Sequence, residues 1–371
     1  MKWSWKIFTA FGIGVYIHAT FWLLILWVLL TAGGLGRAFS VTLLILAAFA
    51  CVVLHEFGHA LTARRFGVQT RDITILPIGG IARLERIPSE PRQEFLIALA
   101  GPPVNLVIAA LIFLLGTVVG WERFDSLLPG SSVFGEHNFL SQLLRFNVFI
   151  ALFNLLPAFP MDGGRILRAL LAIRLDYLRA TRIAVTVGQL LAFGMGLYGF
   201  IGNHPTLLLI AFFVYLGAAR EGAMAQYRQS FQGLPTSIAM ITNFKTLQEE
   251  DRLERAVEYL LHGSQVDFPV MRDGQVLGLL TRSLLIDSLG KQGAQATIRS
   301  VAIKPVKALD DDLPLDRAFE MLQQESVPCL PVMRRGELVG LLTMENLAEF
   351  AMVTSALRVR NGGALNSLNS P

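Results

Sequence analysis

The sequence predicts an α-helical polytopic membrane protein, about six transmembrane helices with a short β-hairpin, followed by an α/β module built from two repeats. Three observations carry that prediction. Charged residues make up only 16% of the 371 residues and hydrophobic residues 53%, where soluble domains carry roughly 25% charged. Long apolar runs fill the chain up to about Glu221, whereas acidic residues crowd the part after Gln248. The acidic part also repeats itself without gaps, the signature of a duplicated structural unit.

Six runs, at 15–34, 40–63, 94–117, 142–161, 183–202 and 205–223, reach the roughly 17–25 residues a spanning helix needs. The N-terminal run follows Lys2 and Lys6 like a signal peptide, but no A-x-A-like cleavage site follows it, so it reads as a retained span. The fourth runs into a Pro-rich stretch and is the least regular. Arginines set the orientation. Arg64, Arg65, Arg71, Arg83, Arg86 and Arg92 follow the second span, and Arg165, Arg168, Arg174, Arg179 and Arg182 follow the fourth. The opposite side holds Arg37, Arg123 and Arg145. The richer side is expected to be cytoplasmic, and both termini fall on it. Cys51 and Cys329 lie in different regions and are not expected to pair. The net charge of +4 comes without a basic, aromatic-laced stripe, so nucleic acid is not an expected partner.

Between the second and third spans, Ile73, Ile75 and Ile78 with a Gly79-Gly80 turn read as a short β-hairpin. Two readings stand: an exposed strand edge that holds an extended peptide by β-addition, or a loop packed on the membrane surface.

The expected division is a membrane domain over 1–224, a Gln/Ser/Gly/Pro linker over 225–236, repeats at 237–297 and 298–357, and a flexible tail over 358–371. Residues 268–285, FPVMRDGQVLGLLTRSLL, align with 330–347, LPVMRRGELVGLLTMENL, at an offset of 62. LERAVEYL from Leu253 matches LDRAFEML from Leu315 at the same offset. Each unit reads as helix, two strands joined by a turn (Asp273-Gly274; Arg335-Gly336), then helix.

The chemistry centres on HEFGH, residues 55–59, at the end of a run with no charged residue from Ala38 to Leu54. His55 and His59, four apart, share one helix face. That spacing suits two neutral imidazoles on one Zn²⁺, with Glu56 as base. Ionisable groups in an apolar span are costly and mark function. A third ligand is needed. His18, His137, His204 and His262 are poorly placed, and Glu85, Glu90 and Glu94 lie downstream at usable distances. Asp162, in NLLPAFPMDGGRIL, is the stronger candidate, because the topology brings it to the depth of the two histidines. Pro157 and Pro160 break the helix before it and Gly163-Gly164 loosen the chain after it. Such backbone at membrane depth must be buried in protein or line a watery cavity.

HEFGH in one span and N-x-x-P-x-x-x-x-D-G in a later one (Asn154, Pro157, Asp162, Gly163) resemble the site-2 protease family of intramembrane zinc metalloproteases. AGPPVN (Ala100 to Asn105) and an early GVYIHATF add to the resemblance. It implies one zinc per chain held by His55, His59 and Asp162, Glu56 as general base, and cleavage within or beside a transmembrane helix of a membrane-anchored regulatory protein. Asn154 is expected to bind substrate or the oxyanion, with helix–helix hydrogen bonding as the other reading. For Asn105 the same two readings, site support and helix packing, stand side by side. Cys51 is expected to pack rather than ligate. A multi-pass protein of a prokaryotic plasma membrane follows.

The two repeats resemble a tandem CBS-domain pair, which implies a cytoplasmic module that senses adenine nucleotide (ATP, ADP or AMP) or serves as a homodimer or scaffold interface. Thr281 and Thr343 match the family's ribose-binding G-h-x-T-x-x-D pattern, but the acidic position is Leu284 in one unit and Asn346 in the other. Competing classes are a CBS-regulated transporter or channel and an inactive protease homologue. Polar residues gathered at one depth in two spans, with His55, Glu56, His59 and Asp162 all intact, favour the enzyme.

Overall fold

The computed structural model describes residues 3–77, 79–84, 90–121, 139–301, 303, 305–325 and 327–360. Ile78, Glu85, Arg86, Pro88, Arg123, His137 and the tail beyond residue 360 lie outside them. The chain divides into two compact units, Met1–Ala225 and Gln226–Pro371.

The first unit opens with strands, not with a helix. Strands β1 (Ser4–Ala10) and β2 (Ile13–His18) form an antiparallel hairpin. Its two-residue turn, Phe11-Gly12, has φ of 53° and 81°, the double positive φ of a type I′ turn whose twist matches flanking strands. Only then does helix α1 (Ala19–Thr31) begin. Its 13 residues measure about 20 Å, short of the roughly 30 Å hydrocarbon layer. The expected 15–34 span is therefore part strand and part helix, because the β-branched and aromatic alternation before His18 favours the pleated form.

Helix α2 (Leu35–Arg65) carries HEFGH near its C-terminal end. Strands β3 (Thr70–Leu76) and β4 (Gly79–Leu84) follow, and the sheet order is β1-β2-β3-β4 with β2 and β3 parallel. The expected hairpin is thus half of a four-stranded sheet. Gly79 and Gly80 lie in β4 rather than in the turn, since Leu76 pairs with Gly79 and Ile75 with Gly80. The buried face of the sheet, Ile13, Val15, Ile73 and Ile75, packs on Phe21 and Ile25 of α1 and on Val53, Phe57 and Ala60 of α2. This core sets the sheet against the helix that bears the histidines.

The expected third span is two helices, α3 (Pro91–Leu99) and α4 (Gly101–Val119), meeting at Ala100. Pro102 and Pro103 sit in the first turn of α4, where a missing N–H breaks no helical bond. Helix α5 (Phe139–Asn154) stops before Pro157, and α6 (Asp162–Ala172) starts at Asp162. Gly163 and Gly164 are buried in the first turn of α6 rather than loosening the chain. Helices α7 (Tyr177–Ile201) and α8 (Pro205–Phe231) complete the set. Among the described residues, four segments are long and apolar enough to cross a membrane: Leu35–Arg65, Pro91–Val119, Tyr177–Ile201 and Pro205–Phe231; Ala19–Thr31 and Phe139–Asn154 are shorter. Large apolar side chains such as Leu30, Val118 and Phe200 stand exposed on these helices, as they do on surfaces that meet lipid rather than water.

The stretch expected as linker is helical as far as Phe231. In the second unit, strands β5 (Leu247–Gln248), β6 (Phe268–Arg272) and β7 (Gln275–Leu280) make one sheet, with helices α9 (Leu253–His262) and α10 (Arg282–Gln292). Strands β8 (Leu309–Asp310), β9 (Cys329–Arg334) and β10 (Glu337–Thr343) make the other, with α11 (Leu315–Glu325) and α12 (Met344–Arg360). Both tight turns, Asp273-Gly274 and Arg335-Gly336, have positive φ at each residue. The repeats exchange their leading segments. Leu315 N–H donates to Leu234 O, and 62 residues earlier Leu253 N–H donates to Ala296 O.

Candidate metal centre

Helix geometry stacks His55 and His59 one turn apart, and the start of α6 brings Asp162 to them. His55 Nε2 and His59 Nε2 are 3.0 Å apart, and Asp162 Oδ2 lies 3.2 Å and 3.1 Å from them. Both histidines are buried.

What holds the imidazoles decides what their free nitrogens can do. His55 Nδ1–H donates to Asn105 Oδ1 at 2.6 Å, and His59 Nδ1–H to the Ile97 carbonyl at 2.7 Å. The amide of Asn105 is oriented in turn, because its Nδ2 donates to Asn147 Oδ1 at 2.9 Å. Asn147 Nδ2 donates to Leu143 O at 2.9 Å and contacts Cys51 Sγ at 3.4 Å. A neutral imidazole that donates from Nδ1 presents a lone pair at Nε2. Two such lone pairs and a carboxylate oxygen thus converge on one point, an arrangement that calls for a cation. Zinc bonds of about 2.0–2.1 Å in a tetrahedral site put ligand atoms roughly 3.3 Å apart, close to the spacings here, so the residues fit the ion. The three residues form the group able to hold a metal ion among the described residues.

Gly101 sits against both rings. A Cβ there would lie 2.6 Å from His55 Nε2 and also collide with His59 Nε2. Glu56 faces the strand on the other side, where a Cβ on Gly80 would come within 2.8 Å of Glu56 Cγ. Between them lies a cavity of about 390 Å³ lined by His55, Glu56, His59, Asp162, Asn154 and residues Gly79 to Ala82 of β4. Strand β4, which borders this cavity, is the last strand of the sheet.

The other candidates fall elsewhere. His18 caps α1, accepting from Thr20 N–H at 3.3 Å. Glu90 accepts from Gln93, and buried Glu94 is held by Arg168. Asn105, left open between packing and support, contacts His55 directly. Asn147 went unnoticed, although a polar amide in an apolar run, the signal that marks Asn105 and Asn154, marks it equally. The Ile97 carbonyl leaves no trace in sequence. In the second unit, Thr281 Oγ1 accepts from Leu284 N–H at 3.3 Å, and Thr343 Oγ1 accepts from Asn346 N–H at 3.1 Å while donating to Asn346 Oδ1 at 3.0 Å. Both threonines start helices there, a local role with its own physical rationale.

A helix-borne HExxH, an aspartate from a second helix and a bordering strand, set among apolar helices, define a candidate zinc peptidase centre of membrane type. Peptidase family M50 matches residues 43–195, and the CBS domain matches 236–291 and 298–352. A zinc metalloprotease of Methanocaldococcus jannaschii is 32% identical over 311 residues, covering 84% of this chain and 86% of that protein. Stage IV sporulation protein FB of Bacillus subtilis is 31% identical over 172 residues, 46% of this chain and 51% of that one. A solved site-2 protease from Methanocaldococcus jannaschii is 35% identical, covers 59% of this chain and 95% of that one, and superposes with a TM-score of 0.44. This chain belongs to peptidase family M50, the site-2 proteases, and carries a tandem CBS pair.

Proposed function

We propose that the protein is an integral, multi-pass zinc endopeptidase that cuts transmembrane segments of membrane-anchored regulatory proteins, with both termini and the CBS pair in the cytoplasm. In this reading α1 and α5, together with the sheet and the Pro157–Met161 stretch, complete six crossings. The observation that carries the reading is the convergence of His55 Nε2, His59 Nε2 and Asp162 Oδ2 beside Glu56 in one cavity. When bound, zinc supplies Lewis acidity to a carbonyl and lowers the pKa of a water molecule. Asn105 and the Ile97 carbonyl keep the two Nε2 atoms unprotonated and aimed. Glu56 takes the proton of the attacking water and returns it to the leaving amine. The edge of β4 pairs with the unwound substrate, and Asn154 hydrogen-bonds the peptide beside the scissile bond. Glu56→Gln should keep zinc and lose cleavage of a membrane-embedded substrate, whereas Asp162→Ala should lose the metal. Proteolysis retained by the Gln variant would refute the mechanism.

The CBS pair is the regulatory and homodimerising part. Thr281, Thr343 and Asn346 are its nucleotide-facing candidates, although their helix-starting bonds also occupy them. Titration calorimetry with ATP, ADP and AMP tests this, and absence of heat with all three would remove nucleotide from the account.

A further inference from the structure

Arg168 is charged and buried, its side chain only 4% exposed. It lies six residues after Asp162, about 9 Å along the same helix α6. Its Nε donates to Glu94 Oε1 at 2.8 Å and its Nη2 donates to the same oxygen; Nη1 reaches Glu221 Oε2 at 3.2 Å. The guanidinium also lies over the rings of Phe159 and Tyr177, 4.9 Å and 5.0 Å from their centroids.

Glu94 belongs to α3, and one turn further along that helix the Ile97 carbonyl receives His59 Nδ1–H. Thus α3 carries the acceptor that aims one metal-facing nitrogen, and α6 carries the metal-facing carboxylate. The pair Arg168–Glu94 ties the two helices together, one turn from the Ile97 carbonyl and about 9 Å from Asp162. Buried ion pairs are weak sources of stability, since desolvation offsets most of their attraction, but they can specify one geometry over its neighbours. A rigid fork on a carboxylate specifies more than a point charge does.

We propose that Arg168, gripped by Glu94, is a positioning residue for the zinc site. It fixes the register of α6 against α3, so that Asp162 Oδ2 and His59 Nε2 arrive at the same point. The inference rests on the zinc-peptidase reading above.

The test uses the full chain in detergent, with zinc affinity from chelator competition and the visible spectrum of the cobalt(II)-loaded protein. Single loss of either partner strands a buried charge and threatens folding, so the neutral double variant Glu94→Gln/Arg168→Gln is the main probe, with Arg168→Lys beside it. Both should fold yet bind zinc roughly 10–100-fold more weakly, the usual effect of losing an outer-shell support, and show a changed cobalt spectrum. Glu221→Gln loosens only the arm to α8 and should leave affinity and spectrum as in the parent. Parent-like affinity and spectrum in the double variant would overturn the proposal, as would an equal loss in Glu221→Gln. A parent protein that takes up neither metal would sink the zinc reading itself, and the positioning role with it.

Discussion

Two glycines bracket the candidate centre, and each is a place where a single methyl group has a defined consequence. Gly101 leaves room for two imidazoles whose Nε2 atoms converge; Gly101→Ala places a methyl 2.6 Å from His55 Nε2 and should abolish stoichiometric zinc binding, read by metal analysis of the purified chain. Gly80→Ala presses instead on Glu56 Cγ and on Val52. Its zinc content should stay at the parent level while kcat falls on the order of 10²-fold, the usual cost of misplacing a catalytic group by about 1 Å. The two variants therefore separate metal binding from proton transfer by opposite readouts. As candidates, His55, Glu56, His59 and Asp162 are legible from spacing and from the cost of charge in apolar runs, and the structure places them around one cavity. Asn147 and Ile97, which complete the hydrogen-bond supports, come from helices far apart in sequence, and no local pattern announces such contacts.

At the level of elements, strand register and ion pairs decide what the repeats can withstand. Glu249, just after β5, receives Arg272 from β6 and is also paired with Arg299 at 3.1 Å. The offset of 62 places Asp311 and Arg334 in the same relation, 2.6 Å apart. The hydrogen bonds from Arg272 above all, aided by Arg299, hold the Glu249 carboxyl down at about 2, against an ordinary value of 4.5. A carboxylate with a depressed pKa stabilises the fold fully above its ordinary value and loses that contribution as pH falls toward the folded value. Amide-exchange protection of the 268–280 peptides should therefore decline between about pH 4.5 and pH 2 in the parent. Glu249→Gln should start less protected and lose less over that window; an identical slope in both would remove Glu249 as the cause. The repeat, its turns at Asp273-Gly274 and Arg335-Gly336, and its α/β class were all readable, because tight turns and period-two strands are local. The β1–β2 hairpin was masked by its own hydrophobicity: an apolar run predicts burial or lipid, and only the alternation hidden within it predicts a strand.

For the whole molecule, the arginine asymmetry makes a claim about sidedness that chemical labelling can check. Cys51 and Cys329 are free and buried, so both form a quiet background for introduced thiols. Arg37→Cys should react with a membrane-impermeant maleimide from outside intact cells, and Arg92→Cys only after the membrane is opened. The reverse pattern would overturn the proposed orientation. The sequence by itself determined that a membrane part precedes a duplicated α/β module, and which four side chains are the candidates for chemistry, because hydropathy, repetition and HExxH spacing act over a few residues at a time. Only the tertiary structure decided that the sheet has four strands, that β4 borders the cavity, and that Asn105 and Ile97 set the histidine tautomers. Those depend on distances between segments tens of residues apart. Such distances are settled by how the helices and the sheet pack together, and packing is a property of all of them at once.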